Sequence, residues 1–209
     1  MNEIRSRKQL KFFIKADYMM NRGRFSPSLK MRLMNLICPD YVMKYLQVLR
    51  KVNYYSNTVG IFNKIAELYY RLQHRRLGQK IGFSIGPNVF GYGLVVPHWG
   101  TIVVGNSNRI GNYCVLHTST CISDNGKIIG DGLYVSTGVK ITAPLKLGNG
   151  VSIAANSVVT KSFEQNNLLL VGMPAEKKRD SYQVWYERDG EEYLNKVKEV
   201  EDLKIKMGL

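Results

Sequence analysis

The sequence has few cysteines and no long apolar segment, and each absence excludes a class of protein. Cys38, Cys114 and Cys121 form an odd set without a Cys-x-x-Cys pair, which argues against a disulfide framework or a structural zinc site. No apolar run approaches the ~18 residues that a transmembrane helix needs, and the N-terminus lacks the apolar core of a secretory signal. We therefore expect reduced thiols and a cytoplasmic location.

Acidic residues are scarce in the first part of the chain. Residues 1–80 contain 17 Lys and Arg against 4 Asp and Glu, a net charge of +13, whereas residues 81–209 contain 13 against 12, a net of +1. The chain has 209 residues, which suits one domain with an appendage. A basic appendage favours an anionic partner, which can be nucleic acid, a membrane surface or a substrate.

Residues 28–80 have the pattern of helices with short breaks. From residue 61 to 77, apolar residues recur at spacings of three and four, which predicts an amphipathic helix. Its apolar positions are Ile61, Ile65, Leu68, Tyr69 and Leu72, and its arginines are Arg71, Arg75 and Arg76. We expect no nucleic-acid partner because no recognition motif is present; a helical cap and contact with anionic lipid both remain open.

From residue 81 the apolar period changes to six. The recurring aliphatic residues are Val104, Ile110, Leu116, Ile122, Ile129, Val135, Ile141, Leu147, Ile153 and Val159, with one interval of seven after Ile122. A six-residue period through ten positions fits neither a helix nor a hairpin. Hexapeptide repeats are typical of a parallel β-helix, with three repeats, about 18 residues, in each coil.

The predicted fold is therefore mainly β, a parallel β-helix with helical ends. We expect a basic helical segment over residues 1–80, the β-helix over 81–165, and an extension over 166–209 that ends in a helix from about Glu191 to Lys206. The extension is expected to leave the solenoid at its far end. So short a solenoid leaves flat faces exposed, which predicts packing into a homotrimer.

Two segments that flank the repeats carry a family pattern. The first is Pro97-His98-Trp99-Gly100-Thr101-Ile102-Val103-Val104-Gly105, and the second is Val171-Gly172-Met173-Pro174-Ala175. Over roughly residues 60–180 the chain resembles serine acetyltransferases, left-handed β-helix acyltransferases, especially members found with surface-polysaccharide biosynthesis enzymes. The resemblance implies a left-handed coil, acetyl-CoA as the donor and a hydroxyl group as the acceptor.

Transfer from a thioester to a hydroxyl needs a base that is neutral near pH 7, which suits histidine. We predict that His98 is this base and that His74, in the basic helix, has a packing or solvated role. His117 lies 18 residues after Trp99, so counting by coils places it one coil from the His98–Trp99 pair. We predict that His117 and Trp99 contact the acceptor.

The same count continues from His117 to Ser136, across the seven-residue interval, and then to Ala154. Small residues along one outer edge fit the pantetheine arm of CoA that the resemblance implies, although turns also tolerate small residues. Near the far end, we predict that Thr160, Lys161, Lys177 and Lys178 contact CoA; solvated surface charge is an equal alternative.

The chain departs from serine acetyltransferases at their serine-binding groups. The acidic residue before the histidine is Pro97 here, the acidic partner fifteen residues earlier is Phe83, and a loop with an Arg-His pair is reduced to Ser123–Lys127. A zwitterionic acceptor would lack its charged partners. We therefore predict transfer to a neutral sugar hydroxyl in surface-polysaccharide biosynthesis, with Asp124 of the short loop in contact with the acceptor.

Three other functions compete with this prediction. Serine O-acetyltransferase activity in cysteine biosynthesis is the first alternative, and a non-catalytic trimeric scaffold is the second, since no residue that would orient His98 is evident. A zinc enzyme like the trimeric carbonic anhydrases needs three converging histidines. The repeats contain two, so we expect no metal.

Overall fold

The computed structural model describes residues 2–180 and 182–209. The N-terminal part forms helices α1 (Arg7–Arg22), α2 (Leu29–Ile37), α3 (Tyr41–Ser56) and α4 (Ile61–Ile81). Ser6, Ser28 and Asp40 each accept a backbone hydrogen bond in the first turn of the helix that follows, which fixes where α1, α2 and α3 begin. Helix α1 lies within the helical segment expected over residues 1–80, although the helical pattern identified in the sequence begins only at residue 28.

The strands that follow are short and stack in parallel. They are β1 (Phe83–Ile85), β2 (Ile102–Val104), β3 (Arg109–Ile110), β4 (Val115–Leu116), β5 (Thr120–Ile122), β6 (Ile128–Ile129), β7 (Tyr134–Val135), β8 (Lys140–Ile141), β9 (Lys146–Leu147), β10 (Ser152–Ile153), β11 (Val158–Val159), β12 (Leu169–Gly172) and β13 (Ala175–Arg179). Only β13 runs antiparallel, to β12, among the pairs in the described chain. The result is a parallel β-solenoid of about five turns, and the predicted fold class is confirmed.

The solenoid has three faces, named here by their strands. Face A has the order β1-β2-β5-β8-β11, face B has β3-β6-β9, and face C has β4-β7-β10-β12 with β13 at its edge. All ten aliphatic positions of the six-residue repeat are buried in the interior, as predicted. Burial of one such residue every six positions stabilises each turn.

The corner between faces B and C is held by a ladder of polar side chains. Asp131 Oδ1 accepts a hydrogen bond from the backbone N–H of Asn112 at 2.7 Å, and Asn149 Oδ1 accepts one from Asp131 at 2.8 Å. The residue before each rung is glycine, as at Gly111, where a Cβ would lie 2.1 Å from Asp131 Oδ1. Glycine is therefore required there for the coils to stack.

The N-terminal helices share a hydrophobic core with the first coil. Tyr45 and Leu46 of α3 are fully buried against the end of the solenoid, and the Tyr45 hydroxyl accepts a hydrogen bond from the backbone of Ile85 at 3.2 Å. The predicted division at residues 80 and 165 stays a prediction, and β12, which pairs with β10, lies beyond residue 165.

The C-terminal segment contains α5 (Trp185–Arg188) and α6 (Glu191–Lys206), and the predicted position of the last helix is confirmed. The segment leaves the solenoid at its far end, where β12 pairs with β10, and then returns along face C to the N-terminal helices, where α6 packs on α1. Trp185 Nε1 donates to the carbonyl oxygen of Tyr113 at 2.8 Å, and Lys204 Nζ donates to the Tyr92 hydroxyl at 2.9 Å. Trp185 also packs on Tyr134 of face C, with ring centroids 6.4 Å apart, so the returning segment covers this face.

Helices in the described part of the chain include none with an apolar stretch long enough to cross a bilayer. Over residues 2–180 and 182–209, no three His, Cys, Asp or Glu side chains converge in a metal-binding group. Cys38 is exposed, Cys121 is half-buried and Cys114 is buried.

Candidate functional site at the histidine corner

The loops that connect face C to face A bring the two repeat histidines together. We call residues 97–101 of the first coil and 117–119 of the second the histidine corner. Val95 pairs with Val115, a separation of 115 − 95 = 20, whereas Ile102 pairs with Thr120, a separation of 120 − 102 = 18. The first coil therefore has two extra residues at this corner.

The two extra residues make the His98–Trp99 loop protrude. His98 is exposed and Trp99 is 72% exposed. The predicted register of 18 residues between Trp99 and His117 applies to the second half of the loop, where a Cβ on Gly100 would lie 3.1 Å from Thr118. The 18-residue register does not hold before the two extra residues, so no residue of the next coil stacks directly on His98.

His98 has no hydrogen-bond partner for its ring among residues 2–180 and 182–209. Sequence analysis found no residue that would orient this imidazole, and the fold of one subunit supplies none in the part described. Both ring nitrogens are therefore open to a substrate.

His117 is held more firmly. Its Nε2 lies 3.0 Å from the hydroxyl oxygen of Tyr134, and the ring is half-buried. Burial lowers the pKa of His117, the charge of His98 lowers it further, and Asp189 opposes the shift. The imidazole of His117 is therefore neutral near pH 7, and the two histidines are close enough for their charges to interact.

Ser136 and Ala154 lie in the same column as His117. The backbone N–H of His117 donates to Val135, that of Ser136 to Ile153, and that of Ala154 to Leu170, at 2.9 to 3.2 Å. Each of the three residues thus directly follows a face C strand, one coil above another. Their contact with CoA stays a prediction.

The structure does not place Asp124 at the histidine corner of the same subunit. Asp124 follows β5 and lies at the corner between faces A and B, because β5 carries the chain across face A. Its Oδ1 accepts hydrogen bonds from the Ser107 N–H at 2.7 Å and the Ser107 hydroxyl at 2.5 Å, which lower the pKa of Asp124. It lines a cleft of about 930 Å³ with His74 of α4 instead.

The predicted CoA-binding cations lie near the far end, and two are already paired. Lys161 Nζ contacts both carboxylate oxygens of Glu176 at 2.9 Å, and Lys177 Nζ lies 3.0 Å from Asp180. Thr160 and Lys178 are exposed. Exposed ion pairs of this kind contribute about 0–1 kcal/mol to stability, so a phosphate group of CoA could displace the carboxylate partners.

Sequence analysis missed two features of the corner. Tyr134 points outward from face C beside Val135, and the six-residue pattern reports only the inward positions. A cavity of about 610 Å³ is lined by Pro97 and Trp99, the two neighbours of His98 in the chain, and by Tyr41 and Lys80 among others. Its wall comes from the N-terminal helices, whose approach to the His98 loop has no signal in the spacing of the repeats.

His74, the third histidine, lies away from the corner. Its ring stacks on Tyr45 with centroids 4.6 Å apart, and its buried Nε2 has no hydrogen-bond partner in the described chain. Burial lowers its pKa to about 4, with a smaller effect from Arg71. This geometry is that of a packed side chain.

The chain is similar in sequence to serine acetyltransferases, although no family model matches it. The serine acetyltransferase of Synechococcus elongatus is 27% identical over 101 residues, which are 44% of this chain and 41% of that protein. The chain spans less than half the length of the curated relatives it matches.

Solved serine acetyltransferase structures share the fold. The Neisseria gonorrhoeae enzyme has a TM-score of 0.64 and 20% identity over 88% of this chain and 72% of that one. A serine acetyltransferase in complex with CoA has a TM-score of 0.59 and 18% identity, over 81% of this chain and 69% of that one. The chain therefore shares the β-helix fold of these structures and is similar in sequence to serine acetyltransferases over about half of its length.

Proposed function

We propose that this protein transfers an acetyl group from acetyl-CoA to an acceptor hydroxyl. The observation that carries the proposal is the histidine corner itself: two histidines adjoin a column of small residues, Ser136 and Ala154, on a serine acetyltransferase-type solenoid. One similar structure is a complex with CoA.

His98 is the proposed base. It takes the proton from the acceptor hydroxyl as that oxygen attacks the thioester carbonyl carbon, and the new C–O bond gives a tetrahedral intermediate. The C–S bond then breaks, and the same imidazolium gives its proton to the departing CoA thiolate. One exposed imidazole can do both steps without any additional group.

The pantetheine arm is proposed to lie along the column from Ala154 to Ser136, with the thioester toward His117. Ser136 and Ala154 leave room there because their side chains are small, and both are only half-buried. Thr160, Lys161, Lys177 and Lys178 are the proposed contacts for the distant part of CoA.

Two acceptors remain, and different observations favour each. Serine, the alternative of the sequence analysis, is the acceptor that the comparisons support better, because serine acetyltransferases recur among the relatives and the solved structures. A neutral sugar hydroxyl, as in surface-polysaccharide biosynthesis, is favoured by Pro97 and by the buried Phe83, where that family has acidic groups.

The short loop also favours a neutral acceptor. Lys127 is fully buried, and its Nζ donates to the carbonyl oxygen and hydroxyl of Ser123 and to Asn125 at 2.7 to 3.0 Å. The ammonium group is thus used within the loop and is not free to bind an acceptor carboxylate.

The acceptor is tested by thiol release from acetyl-CoA with serine and with a panel of neutral, nucleotide-linked and lipid-linked sugars. O-acetylserine formation at millimolar serine would assign the serine activity. Turnover of a sugar with poor turnover of serine would assign the second candidate. No thiol release with any acceptor would support a non-catalytic trimeric scaffold.

We infer that three copies assemble around the solenoid faces and that the basic helix α4 contacts anionic lipid at the cytoplasmic face of a membrane. Face C is covered by the C-terminal segment, whereas Val103 of face A and Ile128 of face B stay exposed, which supports the first contact. Ile61, Ile65, Leu68 and Leu72 of α4 are 50–73% exposed, which supports the second.

A further inference from the structure

Tyr134 connects the histidine corner to the outer surface of face C. Its hydroxyl oxygen lies 3.0 Å from Nε2 of His117. The two ring centroids are 5.3 Å apart and the planes are inclined by 54°, so the contact is through the hydroxyl and not by stacking. A histidine bound at one nitrogen has a fixed ring orientation, and its tautomer is set by the partner.

The tyrosine is itself fixed by α5 of the C-terminal segment. The guanidinium carbon of Arg188 lies 5.1 Å from the centre of the Tyr134 ring. Arg188 Nη1 also donates to the hydroxyl of the buried Ser152 at 3.1 Å, and the buried Trp185 lies beside Tyr134 with centroids 6.4 Å apart. Tyr134 is thus clamped between the solenoid and the returning chain.

Several features decide which group donates the hydrogen bond. A cation over the ring face draws electron density from the phenol and makes its O–H a better donor. Burial and the charge of Asp189 raise the pKa of Tyr134, so the hydroxyl keeps its proton near pH 7. Burial lowers the pKa of His117, so its ring is neutral and has one nitrogen that accepts.

We propose that Tyr134 is a positioning residue whose hydroxyl donates a hydrogen bond to Nε2 of His117, so that His117 carries its own proton on Nδ1 and donates a hydrogen bond to the thioester carbonyl oxygen. Nδ1 has no hydrogen-bond partner in residues 2–180 and 182–209.

This inference rests on the proposed function and gives the second histidine a role distinct from the first. A base must accept a proton, whereas a neutral N–H donor stabilises the negative charge that develops on the thioester oxygen. His98 would supply the first and His117 the second. The C-terminal segment, which lies outside the repeats, would then determine the tautomer on which the site depends.

The tautomer is measured directly by ¹⁵N NMR of the full chain with labelled histidine near pH 7, with the His117 signal assigned from its loss in His117→Asn. We expect the Nδ1–H form in the wild type and a shift toward the Nε2–H form in Tyr134→Phe. Tyr186→Phe is the matched control, because Tyr186 packs on Trp185 without a contact to either histidine, and it should leave the tautomer unchanged.

An Nε2–H form in the wild type, or an unchanged tautomer in Tyr134→Phe, would overturn the proposal. Neither result needs turnover, so a failure of the proposed function is separable: absence of acetyl transfer by the wild type rejects the activity, while the spectrum still decides the Tyr134 assignment.

Kinetics add a test that a merely structural role would not pass. We expect Tyr134→Phe to lower kcat about 10-fold without changing the KM for acetyl-CoA, because misplacement of a polar group by ~1 Å costs up to about 10²-fold. His117→Asn should retain more activity than His117→Gln, since an asparagine N–H replaces Nδ1 and a glutamine N–H replaces Nε2. The opposite order would contradict the Nδ1 donor.

Discussion

Arg50 and Asp17 form a fully buried ion pair that joins two N-terminal helices to the first coil of the solenoid. Arg50 contacts the Asp17 carboxylate at 2.7 and 3.1 Å and also donates to the carbonyl oxygens of Phe90 and Gly91. Asp17 accepts in addition from the backbone N–H of Leu94 at 2.9 Å. Every polar group of the pair is therefore satisfied by the helix–solenoid junction.

Replacement of Arg50 by Met should be strongly destabilising, because it leaves a buried carboxylate and two carbonyl groups without their donor. Loss of one partner of a buried pair costs ~3–5 kcal/mol. The control is Arg22→Met, which breaks a partly exposed pair with Asp40 and should cost under ~1 kcal/mol. Denaturant unfolding measures both; similar losses in the two variants would show that the buried pair is not a structural anchor.

His74 should make the protein less stable in mild acid. Its folded pKa of about 4 lies below the unfolded value of 6.5, so protonation favours the unfolded chain. The stability contributed by neutral His74 is complete above pH 6.5 and declines as the pH falls toward 4. His74→Phe keeps the stack on Tyr45 and removes the titration.

The measurement is the melting temperature of wild type and His74→Phe at several pH values from 7 to 4. We expect a smaller decline in the variant. His117, whose pKa is also lowered, titrates in both proteins and therefore cancels in the difference. Identical pH profiles would show that His74 is protonated as easily when folded as when unfolded.

His98→Ala should abolish transfer while CoA binding remains, because a base acts in the transition state and contributes little to cofactor affinity. Loss of a general base typically costs ~10²- to 10⁴-fold in rate. Turnover is followed by thiol release and CoA affinity by calorimetry, with His74→Phe as the control that keeps normal turnover. If His98→Ala retains more than half of the activity, His98 is not the base.

The solenoid was predictable because one physical requirement recurs in its sequence. The interior of the solenoid must be filled by an aliphatic residue every six positions. The recurrence that begins at Val104 therefore predicts the fold directly. The column from His117 to Ala154 followed from the same arithmetic. The insertion before Ile102 lies ahead of the regular repeats, so no preceding repeat was available to reveal the protruding His98 loop.

Other parts of the site depend on contacts between distant segments, which spacing does not encode. Tyr134 is clamped by Arg188, and the cavity beside Trp99 is walled by Tyr41, from opposite ends of the chain. Asp124 was predicted to contact the acceptor because it lies in the shortened loop. The sequence did not show that β5 carries the chain across face A and so away from the histidine corner. The repeats therefore predicted the solenoid, whereas the surroundings of the histidine corner depend on how the N-terminal and C-terminal segments pack.

A homotrimer should be observed in solution, because apolar side chains on faces A and B stay exposed while the C-terminal segment packs on face C. Val103 on face A and Ile128 on face B remain 39% and 57% exposed, and exposed apolar residues on flat faces favour packing between subunits. Light scattering should give about three times 23.8 kDa. A stable monomer at micromolar concentration would contradict this assembly.

Helix α4 should bind anionic vesicles and leave the chemistry unaffected. Its exposed apolar residues lie on a helix with Arg71, Arg75 and Arg76, and each basic residue near an anionic surface contributes ~1 kcal/mol. Arg71 is also paired with Glu67 at 2.8 Å, so Arg75 and Arg76 are expected to contribute more. Three copies in a trimer would strengthen a weak contact through avidity.

Replacement of all three arginines by Gln should release the protein from anionic vesicles in a flotation assay, while turnover of a soluble acceptor stays unchanged. The matched control removes three exposed charges elsewhere, with Lys146, Lys198 and Lys206 changed to Gln, and should still float. Added salt should weaken wild-type binding because it screens the attraction. If the wild type ignores anionic vesicles at low salt, or if the control is released equally, α4 is a helical cap with a solvated charged face.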